Sequence, residues 1–261
     1  MSSSNVTVRV EGDVAHVRLD RPDKRNAFDD RVAAELEKAF RDLGERDDLR
    51  VVVLGGEGKV FCAGGDLAWM RRVADYTAEE NLEDAEAFQR AYDAIDTLPL
   101  PVVGRVQGAA LGGGAGLVAV CDVVVAAEGT RLGFPEVRLG LVPGVVGPYV
   151  VRRIGAGQAR RLFVTGEALD AEEAWRLGLV HEIVSPEDLD EAVAEIVQSI
   201  RLGSPEGIRR VKALVRDLVT APDWETQGRV ASRAIADARA SEDGREGTRA
   251  FLERRRPRWQ Q

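Results

Sequence analysis

Two glycine-rich stretches are where this sequence has the means to do chemistry: Phe61-Cys62-Ala63-Gly64-Gly65-Asp66-Leu67 and Gly108-Ala109-Ala110-Leu111-Gly112-Gly113-Gly114-Ala115-Gly116. Each follows an apolar run of strand character and each opens a helical pattern. Each therefore offers free backbone N–H groups at a helix start, where unpaired donors and the helix dipole favour negative charge. If the two starts converge, one N–H from each loop can hold a single oxygen that becomes negative during a reaction, which is an oxyanion hole. Close helix packing on glycine explains one such loop alone; a pair at this spacing points to the hole. Other uses fail on the letters. Neither loop supplies the G-x-G-x-x-G of a dinucleotide fold or the G-x-x-x-x-G-K-[ST] of a P-loop, and there is no G-x-S-x-G nucleophile elbow.

The remaining reactive residues are few. Cys62 and Cys121 fit no disulfide framework or metal-ligand spacing, and the two histidines, His16 and His181, sit singly in valine-rich segments that read as strand. The chain of 261 residues, 44% hydrophobic with a formal net charge of −8, is composed like a globular protein and is ill suited to non-specific nucleic-acid binding. No apolar run reaches membrane-spanning length, and MSSSNVTVRV has neither a basic segment nor an apolar signal core, so a cytoplasmic, untargeted protein is expected. One basic cluster, Arg254, Arg255, Arg256 and Arg258, closes the chain as a solvated tail or as a contact for phosphates.

The elements that must position the loops follow from periodicity. Residues 6–20 alternate on either side of Glu11-Gly12-Asp13, a hairpin pattern. Val32, Leu36, Ala39, Phe40 and Leu43 make a helical stripe over 29–43, capped by Asp29 or Asp30. The runs RVVVLGG, PVVGRV and DVVVAA read as buried strands with a helix over 79–97 between the first two, which predicts parallel pairing through crossovers. From residue 188 onward four helical patterns succeed one another. The expected organisation is an α/β part, 1–187, followed by a helical part, 188–261, with no linker composition between them.

Three runs now carry a specific resemblance: FCAGGDL, GRVQGAALGGGAGLVAVCDVVVAAEGTRLGFPEVRLGLVPG and GEALDAEEAWRLGLVHEIV. Together with RPDKRNAF and the closing FLERRRP they resemble, in order and spacing, the signature blocks of the crotonase (enoyl-CoA hydratase/isomerase) superfamily across essentially the whole chain. The resemblance implies a crotonase α/β spiral of stacked ββα turns with a helical carboxy-terminal region making trimer contacts, in a homotrimer or a hexamer of two trimers. It assigns the two oxyanion-hole amides to Gly65 and Gly113, gripping a thioester carbonyl. No metal, flavin or nicotinamide is implied, coenzyme A arriving as part of the substrate. Its contacts by family position are Lys24, Arg25, Ala63, Asp66 and Leu67, with Phe251 and Arg254 reaching across from a neighbouring subunit.

The family carries acid/base chemistry on up to two glutamates, at the positions of Gly116 and Glu136 here. Only the second is a glutamate. Glu136 is the expected general acid/base, since a carboxyl in an apolar pocket has a raised pKa and can exchange a proton with carbon beside the thioester. One glutamate suffices for 3-enoyl to 2-enoyl isomerisation, whereas hydration usually uses two and decarboxylation needs mainly the hole. The stretch AGGDLAWMRRVADYTAEENLEDA, with VRLGLVPGVVGPYVVRRIG, looks like the branch containing bacterial methylglutaconyl-CoA hydratases of leucine breakdown, which also has glycine at this position. A 2-enoyl-CoA hydratase is therefore the favoured expectation. Arg71 and Arg72 then either meet a second carboxylate on the acyl group or form an exposed helix face. The pocket walls are expected around 66–92 and 137–150. A non-catalytic acyl-CoA-binding protein and an RNA-binding protein are the readings from other classes.

Overall fold

The computed structural model describes residues 4–261; Met1–Ser3, which the sequence reading includes in an untargeted amino terminus, lie outside the described residues. Strands β1 (Val6–Glu11) and β2 (Val14–Leu19) form the expected antiparallel hairpin. Helix α1 (Asp30–Gly44) follows, with Asp29 accepting from the Val32 N–H at 2.9 Å as its cap and Val32, Ala33, Leu36, Phe40 and Leu43 as its buried stripe. Then come β3 (Val51–Gly56), α2 (Leu67–Val73), α3 (Ala78–Asp96), β4 (Val102–Val106), β5 (Ala109–Leu111), α4 (Gly113–Val120), β6 (Val123–Ala127) and β7 (Arg131–Gly133). The chain continues through α5 (Gly147–Thr165), β8 (Ala168–Leu169), α6 (Ala171–Arg176), β9 (Glu182–Val184), α7 (Leu189–Arg201), α8 (Pro205–Thr220), α9 (Trp224–Ala240) and α10 (Glu242–Leu252).

The strands form a six-stranded sheet in the order β1-β2-β3-β4-β6-β9, parallel from β2 onward, and a three-stranded sheet β5-β7-β8. Strand β5 departs from the sequence reading, which takes Gly108–Gly116 as one loop. Ala109–Leu111 are too few to show a period, and they become a strand only because β7 pairs with them in parallel. The valine-rich strands of the larger sheet are buried on both faces. One face meets α1, α3 and α4, and the other places Val14, Val51, Val53, Val103 and Val125 against Leu189, Ala192, Val193 and Val197 of α7. Helix α7 thus belongs to the helical run by sequence and to the sheet by packing. Among the described residues, no helix is long and apolar enough to cross a membrane.

His16 lies within β2, and His181 immediately precedes β9, where its Nδ1 accepts the Val124 N–H at 2.8 Å. Burial, with Arg18 and Arg153 respectively as a secondary cause, lowers both pKa values and keeps the rings neutral. Neither histidine lines the cavity described below.

Candidate active site

The first glycine-rich loop runs in parallel alongside β5. The Cys62 N–H donates to Ala109 O and the Leu111 N–H to Cys62 O, both at 3.0 Å, which places Cys62 opposite Ala110. Three residues beyond that pair on each strand stand Gly65 and Gly113. The backbone turns sharply just before each, at Gly64 with φ +100° and at Gly112 with φ +52° and ψ −118°. Only glycine adopts the Gly112 geometry without strain. No carbonyl or side chain among the described residues accepts the N–H of Gly65 or Gly113. Both glycines line one cavity of about 430 Å³.

Three packing contacts fix this arrangement. A β-carbon on Gly114 would lie 2.6 Å from Cys62 O, so α4 approaches the first loop more closely than any side chain allows. The hydroxyl of buried Tyr92, on α3, donates to Gly113 O at 2.8 Å and anchors the second amide. Trp69, Phe88, Phe28 and Tyr92 form an aromatic wall, with ring centroids 5.0 Å apart for Trp69–Phe88, 5.2 Å for Phe28–Phe88 and 5.9 Å for Phe28–Tyr92. Cys62 beside the loop is a buried thiol pushed up to about 12 by burial, too high to act as a nucleophile.

Glu136 enters the same cavity from a 3₁₀ turn, Pro135–Leu139, that follows β7. Its Oε1 lies 3.2 Å from where a Gly112 β-carbon would stand, and its Oε2 is buried with no hydrogen-bond partner. Burial pushes its pKa up, as expected for a carboxyl stripped of water. At Gly116 a β-carbon would lie 2.2 Å from Val146 Cγ1 and 3.0 Å from Tyr92 Cε1. The place of a second glutamate is thus filled by apolar atoms.

The other expected site residues divide. Ala63 lines the cavity, and its N–H donates to Arg25 O at 3.0 Å, which holds the Lys24–Arg25 turn against the first loop. Lys24 Nζ reaches Asp66 Oδ2 at 3.1 Å while remaining mostly exposed, and Leu67 is exposed at the start of α2. The Asp66 side chain, expected by family position as a coenzyme A contact, has other partners in the structure. That carboxylate is buried and committed, Oδ1 to the N–H groups of Ala68 and Trp69, Oδ2 to Arg21 at 2.8 Å and to Lys24. Burial alone would raise its pKa, but these partners outweigh burial and hold it at about 2. It is a helix cap and an ion-pair hub. Phe251, near the end of α10, and Arg254, just beyond it, are exposed and lie outside the cavity lining. Arg71 and Arg72 do not line the cavity either; Arg72 is bound to Asp30 Oδ1 at 2.6 Å and to the Tyr76 hydroxyl at 3.0 Å. Of the two alternatives, both residues fit the exposed helix face.

The expected wall ranges 66–92 and 137–150 supply Asp84, Tyr92 and Val146, though sequence reasoning singled out none of them, and it missed Asn26. Asn26 is 1% exposed and ties three segments together, accepting from the Arg21 N–H and donating to Glu57 O and Val60 O. An asparagine in a turn and a tyrosine in a helix stripe carry no signal of what they touch across the fold.

A parallel sheet wound with helices, carrying two glycine-ended segments whose free amides share an apolar cavity with one unpaired carboxyl, defines the crotonase class of enzymes. The chain belongs to the enoyl-CoA hydratase/isomerase family, whose model matches residues 9–261. An enoyl-CoA hydratase structure from Shewanella pealeana is similar at 37% identity and a TM-score of 0.93, with 98% of this chain and 96% of that one covered. The trans-2-decenoyl-acyl-carrier-protein isomerase of Streptococcus mutans is 31% identical over 262 residues, covering 99% of each chain. The crotonyl-CoA hydratase of Syntrophomonas wolfei is 31% identical over 258 residues, covering 98% of each.

Proposed function

We propose that this protein is an enoyl-CoA hydratase that adds water to a 2-enoyl-CoA thioester, with Glu136 as its single acid/base. The observation that carries this reading is the buried, unpartnered Oε2 of Glu136 in the same cavity as the two free amides. The thioester oxygen lies between the N–H groups of Gly65 and Gly113. Glu136 takes one proton from a water as the water oxygen bonds to C3, and the π electrons move to the thioester oxygen, where the two amides hold the charge. Glu136 then returns the proton to C2 as the carbonyl re-forms. The net change is one water added.

A second reading, 3-enoyl to 2-enoyl isomerisation, is favoured by the filled space at Gly116, which leaves no carboxylate at that position to hold a water. The two separate on product mass. Incubated with straight and branched 2-enoyl-CoA and 3-enoyl-CoA thioesters, the protein is expected to yield a product one water heavier from a 2-enoyl substrate. A product of unchanged mass from a 3-enoyl substrate, without hydration of any 2-enoyl substrate, would replace the hydratase reading by the isomerase. No turnover of any thioester would leave an acyl-CoA-binding protein.

Coenzyme A phosphates are assigned to Lys24 and Arg25 and, from a neighbouring subunit, to Arg254 beside Phe251. The supporting observation for that assembly is apolar surface on the carboxy-terminal helices: Trp224, Phe251 and Leu252 are 86%, 82% and 75% exposed. A trimer or hexamer is the expected mass in light scattering. Phe251→Arg is expected to shift it toward the monomer, and a monomeric parent protein would remove the assignment of Phe251 and Arg254.

A further inference from the structure

The cavity wall contains a second carboxyl that the proposed reaction does not use. Asp84, on α3, lines the cavity together with Glu136, and no lysine, arginine or histidine lines it. Asp84 Oδ1 accepts the indole N–H of Trp69 at 3.2 Å. The Trp69 ring in turn packs against Phe88, and its Cζ3 lies 3.3 Å from where a Gly65 β-carbon would stand. The Asp84 carboxyl is therefore tied to a ring that is itself seated beside the first free amide. Of the cations nearby, Arg72 is paired with Asp30 at 2.6 Å and Arg21 and Lys24 with Asp66, while Arg71 is exposed and lies outside the cavity lining.

We propose that Asp84 is a specificity-determining residue that makes the cavity select uncharged acyl groups and reject an acyl chain bearing a second carboxylate. The proposal depends on the acyl-CoA reading above and names the acyl class within it. Three physical terms act in the same direction. An acyl carboxylate entering the cavity loses hydration, meets two carboxyls, and finds no cation in the lining to pair with. An uncharged enoyl chain meets mostly aromatic and aliphatic wall and incurs none of these costs. Rejection here is built from a repulsive element rather than from a tighter fit to the accepted substrate. Asp84 itself is half-buried, so a further negative charge beside it is poorly screened.

The test measures binding of two saturated thioesters that cannot be hydrated, butyryl-CoA and glutaryl-CoA, by titration calorimetry. The two share the coenzyme and differ mainly in the distal carboxylate. The parent protein is expected to bind butyryl-CoA at least tenfold more tightly. Asp84→Asn keeps an acceptor for the indole N–H while removing the charge, and is expected to narrow the ratio of the two Kd values several-fold. Asp84→Glu, which keeps the charge, is expected to retain the preference, and an Arg71→Ala, Arg72→Ala double variant to leave the ratio as it is in the parent. Equal binding of both thioesters by the parent, or a ratio unmoved by Asp84→Asn, would overturn the inference while leaving the hydratase reading standing. Binding of neither would overturn the acyl-CoA reading and this inference with it.

Discussion

Glu136→Gln is expected to lower kcat by about 10²–10⁴-fold with KM nearly unchanged, the range typical of removing a positioned acid/base. Glutamine keeps the shape of the side chain and loses only the proton exchange. In the parent protein the acid limb of the kcat/KM profile should lie above the ordinary glutamate range near pH 4.3, because burial raises the Glu136 pKa and the base form must be ionised to act. The variant should lack that limb. Stability moves the opposite way. A group whose pKa is raised on folding contributes its stability below its unfolded pKa and loses it as pH rises through the folded value. Glutamine has no charge to desolvate, so the variant should melt higher than the parent at pH 8, with the gap closing as pH falls toward 4. A variant that retains full turnover, or that melts lower at pH 8, would contradict this account of the residue.

Gly112→Ala is expected to lower kcat by about 10²-fold while leaving most of the fold intact. At φ +52° and ψ −118° the backbone is open only to glycine, and an alanine there costs on the order of 1–3 kcal/mol. Its β-carbon would also lie 3.2 Å from Glu136 Oε1. The chain relieves both by rotating the peptide that carries the Gly113 N–H, which takes that donor off the oxyanion position; loss of one such donor typically costs about 10²–10³ in rate. Stopped assays with a single 2-enoyl-CoA, together with a thermal melt, separate the two effects. A large loss of stability with normal turnover per folded molecule would mean that the Gly113 amide is not catalytic.

The hairpin, the stripe of α1 and the three valine-rich strands were legible because burial writes itself into sequence as a period of two or of 3.6, or as a continuous apolar run. The glycines at 64–65 and 112–114 were legible as loops, and the resemblance singled out Gly65 and Gly113 among them. What stayed hidden was long-range. Nothing in AAL announces a strand until β7 lies beside it. Nothing in the sequence of α3 says that Tyr92 reaches the carbonyl of Gly113 or that Asp84 faces the same cavity as Glu136. Asp66 shows the converse error. Its family position implies a coenzyme A contact, yet its carboxylate is held by a helix cap and two cations. The local sequence gives its proximity to the site; only the fold gives its partners.

Val146 and Tyr92, pressed into the space beside Gly116, also constrain what this scaffold can become. A glutamate introduced at 116 alone would drive its β-carbon into Val146. Trimming Val146 first would open a void in a well-packed wall, at a cost on the order of 2 kcal/mol and with no catalytic return until the second change arrives. A two-carboxylate site is therefore not one substitution away. The path from this sequence to such a site runs through weakened intermediates, so directed evolution toward a second acid/base would have to change both positions in one step.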